Sequence, residues 1–470
     1  MSIKINVMAP LLVGDPADLG SLASQVAWNE FDSHLTIMKQ SGIEAVSTDV
    51  WWGLVEPIEG QFNWSYYDQL SDHIIKAGLK WVPILSLHQC GGNVGDTSNV
   101  PIPAWIWAKL AAKAAASSAD AVKFVSEQGN SSAEYVSFWA THLALSSYRA
   151  LMTAFQAHFA AKASHIAEVN VSLGPAGELR YPSYNSHDKN TGWPTRGALQ
   201  CYSSLALASF RDYIMGKYGD VNNVAEAWGD GRAIEPPADA TLFYEQGEHL
   251  TQYGRDLFDW YQHVLVAHAR MMLLAARGIF DASGAAFAGI DIGAKIPGIH
   301  WLVGTVSDGV VTLGSRLAEL NAGLIRTSSI EEWSHDDQGR GYRPLLKFFA
   351  ELQQKGRSRV VLHFTCLEMP DGVDGPQVQS LPKSLVTWVG DEARRQGVAI
   401  KGENALGFKL YDRASWRLMR SALAIPPQTG AYEGLTLLRM TDIAHSGDAR
   451  DELSQILQLA KAASEALKVA

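Results

Sequence analysis

The sequence predicts an α/β fold, a (β/α)8 TIM barrel, on three observations. Short runs rich in apolar and β-branched residues recur eight times, at 5–10, 45–50, 81–87, 168–173, 286–292, 360–365, 399–402 and 435–440. Amphipathic stretches at helical spacing follow them, and such alternation builds a parallel sheet covered by helices. Carboxylate, imidazole, amide and aromatic groups gather just past the strand ends, the edge where a barrel assembles its active site. From the alternation alone, a doubly wound open sheet remains the alternative.

The first apolar run is short, is broken by Asn6 and Pro10 and ends at Asp15, which reads as a buried strand and not as a secretion signal. Helical periodicity follows at 33–41, 66–77, 342–355, 384–396 and 416–422. The stretch 451–467 places Leu453, Ile456, Leu457, Ala460 and Leu467 on one stripe. Strand spacing is uneven. An ideal barrel needs about 250 residues, and this chain has 470. The excess is expected in long loops after strands three, four and five, forming a small lobe over the C-terminal face. Residues 1–470 read as a single catalytic barrel domain without an appended module.

Composition narrows the partners. The net charge is −10 and no basic run occurs, which argues against nucleic acid or an anionic membrane surface. No run of about 18 apolar residues suggests a membrane span. Three cysteines are too few and too odd for a disulfide framework and suit a reducing, cytoplasmic location. A monomer is expected. Fifteen tryptophans and fifteen tyrosines include several beside polar residues in "DVWWGLVE" (49–56), "WIWAK" (105–109) and "GIHWLVG" (298–304). Aromatic faces beside carboxylates suit pyranose rings, although packing explains many such residues equally well.

The chemistry-bearing residues follow strand order. Asp49 follows strand two, His88 strand three, Glu178 strand four, Lys295 and His300 strand five, Thr365 strand six, Glu403 strand seven and Arg439 strand eight. Glu178 and Glu403 are the natural pair, each flanked by small residues. Two carboxylates across a sugar ring supply an acid together with a base or nucleophile for glycoside hydrolysis. Each could instead be an ion-pair partner, with Arg180 and Lys401 available. "HQCGGNVGD" (88–96) has three glycines but no lysine, and Asp96 would repel phosphate. His88 and Cys90 alternate along an extended chain and would point apart, which disfavours zinc. A hinged loop over the site survives, with a plain turn as the alternative. No CxxC, HExxH, GxSxG or GxGxxG motif is visible.

"HQCGGNVGD", "GPAGELRYPSY" (174–184), "FTCLEM" (364–369) and "GENALG" (402–407) resemble the β-amylases, glycoside hydrolase family 14. So do "STDVWWGLVE", "GLKWVPILSLHQC", "IPAWIWA" and "RLAELNAG". The resemblance runs from about residue 5 to residue 440. It implies exo-acting, inverting hydrolysis of α-1,4-glucosidic bonds of starch or maltodextrin from the non-reducing end, releasing β-maltose without a cofactor. Carried over, Glu178 is the general acid and Glu403 the general base. Asp49, His88, Asp96, Lys295, His300, Thr365, Asn404, Ala405 and Arg439 line the sugar subsites. Residues 91–98 form the lid, and Thr365 sits on an inner loop. Some relatives bind calcium near the loop after WWGLVE, where Glu56 and Glu59 lie. A retaining barrel glycosidase and a non-catalytic sugar sensor remain the alternative readings.

Overall fold

The computed structural model describes residues 3–91, 98–301, 306–307, 310–311, 316–327, 336–353, 356–372, 375, 378–425 and 430–469. Eight parallel strands close into a barrel: β1 (Lys4–Met8), β2 (Ala45–Trp51), β3 (Lys80–Ser86), β4 (Glu168–Val171), β5 (Asp291–Ile296), β6 (Val360–Phe364), β7 (Ile400–Glu403) and β8 (Gly434–Leu437). Each pairs with its sequence neighbours, and β8 closes on β1 through Lys4↔Gly434 and Ile5↔Leu435. Closure leaves no exposed sheet edge. Around the barrel run α1 (Leu22–Gln40), α2 (Ser65–Lys76), α3 (Thr141–His158), α4 (Gln252–Phe280), α5 (Arg343–Gln353), α6 (Pro382–Gln396), α7 (Arg413–Ala422) and α8 (Gly447–Val469).

Local sequence explains the helix ends. Ser21 accepts from Ser24 N to start α1, Thr251 from Gly254 N to start α4, and Asp412 from Ala414 N to start α7. These short oxygen side chains satisfy amides that have no partner within the first turn. In α8, Leu453, Ile456 and Ala460 are buried and Leu457 is half-buried, as the stripe predicts. Of α4's 29 residues, the apolar ones are largely core. It is long and apolar enough to cross a membrane, yet Leu257, Trp260, Tyr261, Leu265 and Met272 are all buried.

Strand five corrects the expected boundary. It begins at Asp291, not 286. Gly284 and Gly289 adopt φ of 79° and 85°, which turns the chain after α4. Asp281 accepts from Gly289 N, Arg357 N and Ser358 N, tying that turn to the chain entering β6. Phe287 is buried against Phe155 and Phe280, so the apolar run at 286–290 packs under helices and not in the sheet. Lys295 therefore lies within β5. Strand eight also ends early, at Leu437, and Met440 already begins a short helix, Met440–His445.

The longest connections follow β3, β4 and β5. Those after β3 and β4 share an aromatic core: Tyr181 stacks on Tyr261 at 3.7 Å, and Trp139 stacks on Trp260 at 5.4 Å. Tyr181 Oη also donates to Tyr261 O. This core fixes the segment that carries Glu178.

Candidate active site

Seven residues past β4, Glu178 sits on a turn that only small residues permit. Ala176 (φ 55°) and Gly177 (φ 79°) are left-handed, and a Cβ on Gly174 would stand 2.4 Å from Glu178 O. Leu179 N then donates to Lys295 O, stitching the segment to β5. Glu178 Oε2 accepts from Arg180 Nε at 3.0 Å and from Tyr184 Oη at 3.4 Å. Arg180 is buried and lies over the Tyr184 ring at 4.0 Å.

Glu403 is the last residue of β7 and is buried. Lys295 Nζ lies 2.6 Å from its Oε2, and His363 Nδ1 lies 3.4 Å from its Oε1. Burial opposes the carboxylate, but Lys295 and His363 outweigh it and hold its pKa below the usual range. Burial likewise opposes the Lys295 ammonium, and Glu403, with Glu178 and Asp49 behind it, raises its pKa. The other face of His363 meets a third carboxylate, with Nε2 2.6 Å from Glu168 Oε1. Lys401 pairs with Glu168 as well. Nε2 is hydrogen-bonded to Glu168 and Nδ1 stands at ion-pair distance from Glu403, and two flanking carboxylates favour the imidazolium. Burial would discharge it, but Glu168 and Glu403 raise its pKa. The resulting row, Lys401–Glu168–His363–Glu403–Lys295, alternates in charge through the barrel interior.

One cavity unites Glu178 and Glu403 with Asp49, His88, Lys295, Thr365, Asn404, Ala405 and Arg439. Asp49 Oδ1 accepts from Ser86 Oγ. Burial, with Lys295 and Arg180 nearby, pushes the His88 pKa down to about 3, so the ring is neutral. Its Nδ1 meets Ser172 Oγ at 2.8 Å. Thr365 Oγ1 accepts from Gly298 N, and Arg439 donates to Ala9 O. Asn404 clamps strand ends: its amide donates to Leu438 O and accepts from Leu438 N, each at 2.8 Å. His300 is not in the cavity wall. It bonds Ser380 Oγ and packs on Trp301, whose ring meets Tyr184. Asp96 and most of the expected lid, 92–97, lie outside the described residues.

Sequence reasoning missed His363, Glu168 and Glu368. The first two are titratable residues on barrel strands, His363 the one polar residue of its strand, a pattern that points inward and needs partners. Lys401, weighed as a partner for Glu403, belongs to Glu168 instead, whereas Arg180 does pair with Glu178. Glu368 is buried and accepts from Ala405 N and Leu406 N at 2.8–3.0 Å, holding the loop after β7. The calcium candidates do not fit a cation. Glu56 accepts from Trp52 Nε1 and Gly60 N, and Glu59 is paired with Lys109.

Glu178 and Glu403, with Asp49, in one cavity at the C-terminal end of a closed parallel barrel are the arrangement of a barrel glycoside hydrolase. The model of glycosyl hydrolase family 14 matches residues 6–466. A thermophilic β-amylase of Thermoanaerobacterium thermosulfurigenes is 36% identical over 93% of this chain and 72% of its own. A β-amylase of Bacillus cereus is 34% identical over 94% of this chain and 73% of its own. The crystal structure of the catalytic domain of β-amylase from Paenibacillus polymyxa superposes with a TM-score of 0.79 at 32% identity, covering 98% of this chain and 99% of that one. The chain belongs to glycosyl hydrolase family 14.

Proposed function

We propose that the protein is a β-amylase: an exo-acting hydrolase that releases maltose from the non-reducing ends of starch-like α-1,4-glucans. The observation that carries this reading is the unequal environment of the two carboxylates in one cavity. Glu403 is gripped by an ammonium and an imidazolium, which suits a base that must stay ionised. Glu178 meets one guanidinium and a phenol and is the acid that protonates the leaving oxygen. Glu403 activates a water on the opposite face of the sugar, and the product forms with inverted anomeric configuration. The reaction draws on two carboxylates and water alone. Neutral His88, Asp49 and Arg439 hold sugar hydroxyls, and Asn404 keeps the ends of β7 and β8 in register.

The test follows the anomeric proton of the product by NMR within minutes of mixing the protein with maltopentaose, before mutarotation. β-Maltose is expected. α-Maltose would make Glu403 a nucleophile, and no maltose at all would favour the sugar-sensor reading. Glu178→Gln and Glu403→Gln should each lower kcat by about 10²–10⁴-fold, the usual worth of a general acid or base.

A further inference from the structure

Away from the cavity, Glu30, His34 and His445 bring three ligand atoms within 4.8 Å of one another. Glu30 and His34 are one turn apart on α1, hence on one face. His445 ends the short helix Met440–His445 that follows β8. The two imidazoles meet edge to face, with centroids 5.3 Å apart at 80°. His34 is buried, only 6% exposed. The polar atom it faces, Glu30 Oε1, is 3.9 Å from Nε2, too far for a hydrogen bond.

We propose that these three residues form a binding site for a divalent transition ion of the zinc class, which staples α1 to the segment after β8. Two imidazoles and a carboxylate are a familiar donor set for Zn2+, with water completing the shell. Bonds of roughly 2.0–2.1 Å require the donors to close in from their present spacing. Glu30 and His445 are exposed, whereas His34 is buried. The position gives the ion a structural consequence. α1 follows β1 and His445 follows β8, so a bound ion ties the first and last units of the barrel next to the β1–β8 seam.

The experiment uses the full chain stripped with EDTA and titrated with Zn2+ in a calorimeter, with a thermal melt on the same samples. Co2+ serves as a second probe whose visible absorption reports the ligands. Binding of one ion with a raised Tm is expected. His445→Ala and Glu30→Gln alter exposed side chains, should fold normally and should retain starch hydrolysis. Each should weaken binding by at least the roughly 10–100-fold that loss of even an outer partner of a metal ligand costs. The Tm gain should vanish in His445→Ala. Zn2+ binding that persists at full affinity in His445→Ala would place the ion elsewhere, and no heat or Tm change in the wild type would show that no site exists. Either result overturns the proposal.

Discussion

Glu403 meets a cation on each oxygen, and the two cations differ in a way that pH exposes. Glu403 raises the Lys295 pKa, and Glu168 and Glu403 raise that of His363 and favour its charged form. An opposite charge within about 4–6 Å lowers a carboxylate pKa by roughly 1–3 units. The sign is fixed: without the imidazolium, the Glu403 pKa rises and the base protonates at higher pH. His363→Asn should therefore move the acidic limb of the kcat/KM profile upward by about one unit or more. Profiles on maltopentaose decide it, and an unmoved limb would show that Lys295 alone holds Glu403. Glu178 and Glu403 were legible because each stands at or just past a strand end among small residues. His363 was not, because "VVLHF" reads as an apolar strand and its two carboxylate partners are distant in sequence.

At the scale of elements, the loops past the strand ends are shaped by buried acceptors. Glu368 takes three hydrogen bonds from Ala405 N and Leu406 N, and burial still outweighs them, raising its pKa to about 7. Glu368→Ala strips the Ala405 and Leu406 amides of their acceptor. At about 0.5–1.5 kcal/mol for each net hydrogen bond lost, urea unfolding should show a loss of stability. The same variant should raise KM for maltopentaose, because Ala405 and Asn404 line the cavity. Full stability would mean that water replaces the carboxylate at no cost. Seven strands could be placed within a few residues from apolar runs alone, since period and bounding turns agree there. The fifth slipped because "AAFAGI" buries Phe287 under helices, and an apolar run cannot say which partner it packs against. Cavity residues were legible as a set through the strand order. Their hydrogen bonds were not: Asn404, expected to line the sugar subsites, does line the cavity and also clamps the strand ends.

The molecule as a whole departs from the usual barrel in what fills it. Barrel interiors are commonly layered with branched apolar side chains. Here Glu168, His363 and Lys401 occupy the interior directly below Glu403, and the packing must leave room for them. Gly293 on β5 provides that room. A Cβ there would stand 1.9 Å from Asn170 Oδ1 and 2.5 Å from Glu168 Oε1. Gly293→Ala should therefore do two things together. Overpacking should cost about 1–3 kcal/mol of stability. Displacing Glu168 should loosen its grip on His363, let the imidazole discharge, and raise the acidic limb of kcat/KM in the same direction as His363→Asn. Gly216→Ala is the control: it lies in the helix Ser204–Tyr218 with nothing within 4 Å of an added Cβ. It should leave the pH profile alone and, by helix propensity, raise stability by up to about 1 kcal/mol. If Gly293→Ala lost stability but kept the wild-type profile, the interior row would be scaffolding without influence on the base. A shift in both would tie the packing of the barrel to the ionisation of the group that activates water.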